Sequence, residues 1–184
     1  MNRLSKLTSA LVVLGAASPS LFAQAKPRVV VPSNRVLPMG GGPTTLGAVS
    51  ASPTTISFTS TDPSLGTVSG SSAATISWTT SGGSSSNTWT LSVQASGATF
   101  ASCATVPTSA VTATCTGVTG GSGGACGASV PLSTSAQQVA SGNEANGAAT
   151  KSYSVTLNFT LADSWSYIAN SSCLLSLTYT VNAP

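Results

Sequence analysis

Three carboxylates, four cysteines and no histidine are most of the reactive chemistry in this 184-residue chain. Without an imidazole, Ser-His-Asp and Cys-His catalysis lack their base, and the commonest zinc and copper ligand is missing. The carboxylates are Asp62, Glu144 and Asp163. A glycosidase needs two such groups at a separation of roughly 5–10 Å, and only a coincidence of folding would pair any of these. Asn143, Glu144 and Asn146 together bring one charge, where calcium sites collect several acidic oxygens. The glycine runs open no helix and carry no phosphate-binding pattern. The inventory predicts no catalytic residue, no metal and no cofactor.

The cysteines are Cys103, Cys115, Cys126 and Cys173, with no CxxC spacing among them. An even count in an exported chain favours structural disulfides over a zinc ribbon or a redox pair. A catalytic thiol would also need an activating base. The expected pairing is Cys103–Cys115, closing a local loop, with Cys126–Cys173 tying a glycine-rich loop to the last strand. Each would stabilise the fold by roughly 2–4 kcal/mol.

A binding role has one candidate constellation. Asp163, Trp165 and Tyr167 stand at alternate positions, with Asn170 close behind. Aromatic faces flanked by polar groups can stack on sugar rings, with Asp163 and Asn170 as hydrogen-bonding partners. The competing expectation is that Trp165 and Tyr167 fold back as a lid on the core, since tryptophan usually contributes large buried area. Trp78 and Trp89 lie on apolar strand faces and are expected in the core.

The elements that must position these residues are strands. Tyr153, Val155, Leu157, Phe159 and Leu161 alternate with polar residues, and the pattern returns at Cys173, Leu175, Leu177, Tyr179 and Val181. A period of two gives each run one wet and one buried face. Shorter alternations occur at Ile56–Thr59, Ile76–Thr79, Trp89–Ala95 and Val111–Cys115, and Gln137–Ala140 is expected as a further short strand. Gly117–Gly127, with six glycines, is expected as a loop, and residues 143–147 as a turn. No stretch after the first 25 residues sustains a 3.6-residue period. The expected fold is therefore all-β, an immunoglobulin-like two-sheet antiparallel sandwich with about seven or eight strands.

The beginning of the chain predicts export. Arg3 and Lys6 precede the apolar Leu11–Ala17, and Ala23-Gln24-Ala25 is a small-x-small cleavage site. That apolar run is short of the ~20 residues a membrane span needs. The expected organisation is a signal peptide at 1–25, a Pro/Gly-rich arm at 26–53 and a β-domain at 54–184. After cleavage, Lys26, Arg28, Arg35 and Lys151 face three carboxylates, a net charge of +1, while Ser and Thr supply 55 residues. Nucleic-acid binding is not expected, because tracking phosphates needs clustered cations. Disorder is not expected either, because charge is scarce and the apolar residues are patterned.

The signal peptide, the Thr-rich alternation and the closing Leu177-Thr178-Tyr179-Thr180-Val181 resemble exported bacterial β-sandwich modules of surface layers, fimbriae and spore coats. The resemblance spans roughly residues 54–182. It implies a secreted or cell-surface, structural or adhesive part whose partners are further copies or other surface proteins, joined by strand addition. Arg28-Val29-Val30-Val31 in the arm is the segment expected to add to a neighbour's sheet edge, the competing expectation being that the arm folds back onto its own domain or stays a disordered tether. A glycan-binding module using Trp165 and Tyr167 is the alternative.

Overall fold

The structure, a computed structural model, describes the backbone of residues 23–29 and, with side chains, residues 44–59, 66–164 and 173–183. These residues form β-sheets, and a three-residue 3-10 turn, Thr108–Ala110, is the one helical element among them. One sheet has six strands in the order β11 (Ser122–Cys126), β13 (Gln137–Asn143), β7 (Thr88–Ala95), β15 (Cys173–Asn182), β1 (Ala23–Val29) and β4 (Ile56–Phe58). The other is built on β12 (Val130–Pro131), β10 (Val111–Thr119), β14 (Lys151–Ala162), β6 (Ala74–Ser81) and β2 (Thr45–Leu46). On it, β3 (Ser50–Ser52) also pairs with β6, and β5 (Thr67–Ser69) with β14. A small ribbon joins β8 (Thr99–Phe100) to β9 (Cys103–Pro107).

The alternating runs behave as their period requires. On β14, Tyr153, Val155, Leu157, Phe159 and Leu161 are buried, as are Cys173, Leu175, Leu177, Tyr179 and Val181 on β15. Each large side chain among them contributes about 1.5–3 kcal/mol by leaving water. One continuous core gathers these with Ile76 and Trp78 of β6 and Trp89, Leu91 and Val93 of β7, so both large sheets supply it. The other face carries hydroxyls: Ser77 stands opposite Ser154 and Thr75 opposite Thr156 across β6 and β14. Thr119 and Ser154 hydrogen-bond at 2.7 Å.

Three expectations about the chain's layout are corrected. Residues 44–52, assigned to the arm, place Thr45–Leu46 and Ser50–Ser52 on β6, where they cover its otherwise open edge. The strand expected at Arg28–Val31 runs instead over Ala23–Val29, parallel to β15 and antiparallel to β4 of its own chain. Val30 and Val31 lie outside the described residues. The glycine tract is a strand–turn–strand crossover: β10 continues to Thr119, and Gly120 and Gly121, at φ 90° and 71°, make a turn that side chains with a Cβ resist. β10 pairs with β14 while β11 pairs with β13, so the chain passes here from one sheet to the other.

All four cysteines are disulfide-bonded, but not as expected. The bonds are Cys103–Cys173 and Cys115–Cys126, with Cα separations of 5.4 and 5.3 Å. The β8–β9 corner docks on the start of β15, where Ala101 N donates to Leu174 O at 2.7 Å, and this brings Cys103 to Cys173. Cys115 on β10 and Cys126 on β11 face each other across this crossover and so join one sheet to the other.

Tyr179 is fully buried with its hydroxyl unpartnered, and burial pushes that hydroxyl's pKa well above the ordinary tyrosine value. The unfolded chain sheds this proton near pH 10 while the folded chain holds it. Above that pH the unfolded state binds fewer protons, so stability falls as pH rises, by at most about 1.4 kcal/mol per unit from this group. Below pH 10 the contribution is constant. Tyr179→Phe should therefore flatten the alkaline fall and, by removing an orphaned buried hydroxyl, stabilise the neutral protein by about 1 kcal/mol. Thermal melts of both proteins from pH 7 to 11 would show it, and identical alkaline slopes would refute it.

Candidate functional site

Of the carboxylates singled out by type, Glu144 and Asp163 are among the described residues, and they lie far apart. Asp163 is half-buried just after β14; its N–H donates to Gly66 O at 3.1 Å, and its Oδ1 accepts from Ser164 N at 2.9 Å. Trp165, Tyr167 and Asn170, the rest of the expected platform, lie outside the described residues, as does Asp62. Glu144 follows β13, and its neighbour Ala145 contacts Tyr153 near the opposite end of β14 from Asp163. At ~3.3 Å per residue, the stretch from Tyr153 to Ala162 separates these two carboxylates by about 30 Å. That spacing is too wide for acid–base work on one glycosidic bond. Among the described residues, no three His, Cys, Asp or Glu side chains gather to hold a metal. No helix among them is long and apolar enough to cross a membrane.

The polar site that the fold does build surrounds Glu144. This carboxylate, expected in a turn, is fully buried, 0% accessible. Its Oε2 accepts from Thr44 Oγ1 at 2.9 Å and from Asn87 Nδ2 at 3.4 Å, and Asn87 Nδ2 also reaches Thr44 Oγ1 at 3.3 Å. The Glu144 N–H donates to Asn87 O at 2.9 Å, fixing the backbone of one loop against the other. Glu144 Oε1 is buried and has no partner. Leaving such an atom bare costs on the order of 1–3 kcal/mol or more, so its survival calls for a reason.

Backbone architecture forces this meeting. Thr44 precedes the edge strand β2, Asn87 precedes β7, and Glu144 follows β13, so three chain segments converge at one end of the core. Gly83 pairs with Gly147 in an isolated bridge, and a Cβ at Gly83 would stand 2.7 Å from Glu144 Oε2 and 3.0 Å from Ala145 O. Only glycine allows the loops to approach so closely. Asn146 Oδ1 accepts from Ser85 N at 2.5 Å and closes the outer side.

An aromatic floor lies beneath. Tyr153 stacks on Trp78 with centroids 5.5 Å apart and planes 7° from parallel, and Trp89 meets Trp78 edge-on at 5.0 Å. The Tyr153 hydroxyl accepts from Ala145 N at 2.9 Å and from Thr80 Oγ1 at 3.2 Å, linking the floor to the loop that carries Glu144. Trp78 and Trp89 are core residues, as expected. The cluster had no local signal in the sequence: Thr44 and Asn87 are 100 and 57 positions from Glu144. The one clue was a lone glutamate between two asparagines in an almost uncharged domain.

No family model matches the chain, and no curated protein or solved structure matches it either.

Proposed function

We propose that the protein is a secreted, non-catalytic structural or adhesive building block, an immunoglobulin-like two-sheet sandwich that assembles by exchanging its first strand with a neighbour. The observation that carries this reading is the place of β1. It is the first of the described strands and the one parallel partner among the described pairs, lying between β15 and β4. The segment that ties it to β2, residues 30–43, contains three prolines and three glycines. Exchange of this strand would leave the rest of the sheets in place, and a neighbour's copy makes the same contacts.

Export adds to this. Cleavage after Ala25 would remove Ala23, Gln24 and Ala25, which make every pair between β1 and β4. β4 and the start of β15 would then face an unpaired edge, the kind of edge that accepts an added strand. Two disulfides suit an oxidising compartment. The hydroxyl-covered, nearly uncharged faces suit close stacking of copies. The glycan-binding alternative has no described geometry behind it, because Trp165 and Tyr167 fall outside the described residues.

Deleting residues 26–43 from the chain that begins at Lys26, while keeping β2 and β3, tests assembly. Light scattering should show oligomers that grow with concentration for the intact form and a monomer for the deletion, with circular dichroism unchanged. Oligomers that persist after the deletion, or an intact form that stays monomeric at high concentration, would end the strand-exchange reading.

A further inference from the structure

We propose that Thr44 and Asn87 become joined by an ester bond that the chain forms in itself, with Glu144 moving the proton. The juxtaposition is specific. A hydroxyl, a carboxamide and a carboxylate from three distant segments lie mutually within 2.9–3.4 Å, and the carboxylate is fully buried. Each has the chemistry one role requires: a nucleophile, an acyl group with a leaving nitrogen, and an acid–base group within hydrogen-bonding reach of both.

The step balances without a co-reactant. Thr44 Oγ1 bonds to Asn87 Cγ while its proton passes to Glu144 Oε2, which already accepts that O–H. The resulting tetrahedral centre collapses by breaking the Cγ–Nδ2 bond. Glu144 returns the proton to Nδ2, which already faces Oε2, and ammonia departs. The carboxylate is regenerated, and the product is a Thr44–Asn87 ester lighter than the starting chain by one NH3. Asn87 Cγ is one bond from the Nδ2 that touches Thr44, so a small side-chain rotation brings it to the ~3–3.5 Å of a near-attack arrangement.

The surroundings favour this chemistry over a passive hydrogen-bond cluster. Glu144 is fully buried and Thr44 and Asn87 are half-buried, which limits the water that would compete with Thr44 or hydrolyse the ester. The Asn87 O to Glu144 N bond holds acyl donor and proton carrier in register. The unpartnered Glu144 Oε1 is an imperfection of the kind that persists where a group does more than hold structure. The bond would sit where β2, held to β6 by only two residue pairs, enters the sheet. That is where tension on the preceding arm would be delivered. The geometry itself does not depend on how the protein assembles.

Intact-mass spectrometry of the purified, folded chain tests the proposal. After the disulfides are reduced, the mass should fall below the sequence value by one ammonia, about 17 Da. Chymotryptic mapping should place the loss on a linked pair of peptides containing Thr44 and Asn87, and hydroxylamine should separate them. Thr44→Ala, Asn87→Ala and Glu144→Gln should each restore the full mass, while Thr44→Ser should keep the loss. If Glu144→Gln fails to fold, the Thr44→Ala and Thr44→Ser pair still decides. A folded protein at full sequence mass would overturn the proposal. So would a loss that survives Thr44→Ala, because it would come from cyclisation of another asparagine, such as Asn146 before Gly147.

Discussion

Removing the Cys103–Cys173 bond by the double change Cys103→Ala/Cys173→Ala should cost about 4 kcal/mol, and removing Cys115–Cys126 about 3 kcal/mol. The ranking follows from the chain each bond closes, 70 residues in one case and 11 in the other. A longer loop loses more freedom in the unfolded ensemble when it is tied. Against a total stability of roughly 5–15 kcal/mol, either loss is severe. In a domain of this size the first should lower the melting temperature by roughly 8–16 °C. Location adds a second contrast. Cys103 and Cys173 are buried, whereas Cys126 is exposed at the end of β11. A thiol reductant acting on the folded protein should therefore open Cys115–Cys126 first and leave Cys103–Cys173 intact until unfolding. Denaturant titration of the two double variants, with alkylation mapping under native reduction, checks both statements. Equal losses below 1 kcal/mol, or early reduction of the Cys103–Cys173 bond, would contradict them.

What could be read in advance follows from which forces are local. The long strands β14 and β15 were legible because ten core positions alternate with polar ones, and a one-residue slip would turn every one of them to water. Six segments from Ile56 to Val181 show the same signature and contain strands. β2, β3, β5, β8 and β12 are two or three residues long, too short to display a period at all. β11 was hidden for another reason. Ser122-Gly123-Gly124-Ala125-Cys126 has few side chains to alternate, and its pairing with β13 is backbone chemistry. Disulfide connectivity was not legible because docking of Ala101 on Leu174, a long-range contact, decides it. Glu144 looked like turn chemistry because its hydroxyl and amide partners arrive from the other side of the chain.

Strand exchange makes an all-or-none prediction about where β1 is bound, and it rests on a register. Arg28 stands opposite Thr178 in the parallel pair of β1 and β15. A cysteine at only one of these positions cannot close that pair within its own chain. Chains carrying Arg28→Cys and chains carrying Thr178→Cys, beginning at Lys26 and distinguished by mass, are therefore mixed under mild oxidation. The native cysteines are already engaged in disulfides and do not compete. If a neighbour supplies the strand, a covalent heterodimer linked through residues 28 and 178 should dominate on a non-reducing gel. A heterodimer no more abundant than the two homodimers, alongside efficient crosslinking within a single chain carrying both cysteines, would mean that the strand stays at home and that the building-block assembly is wrong.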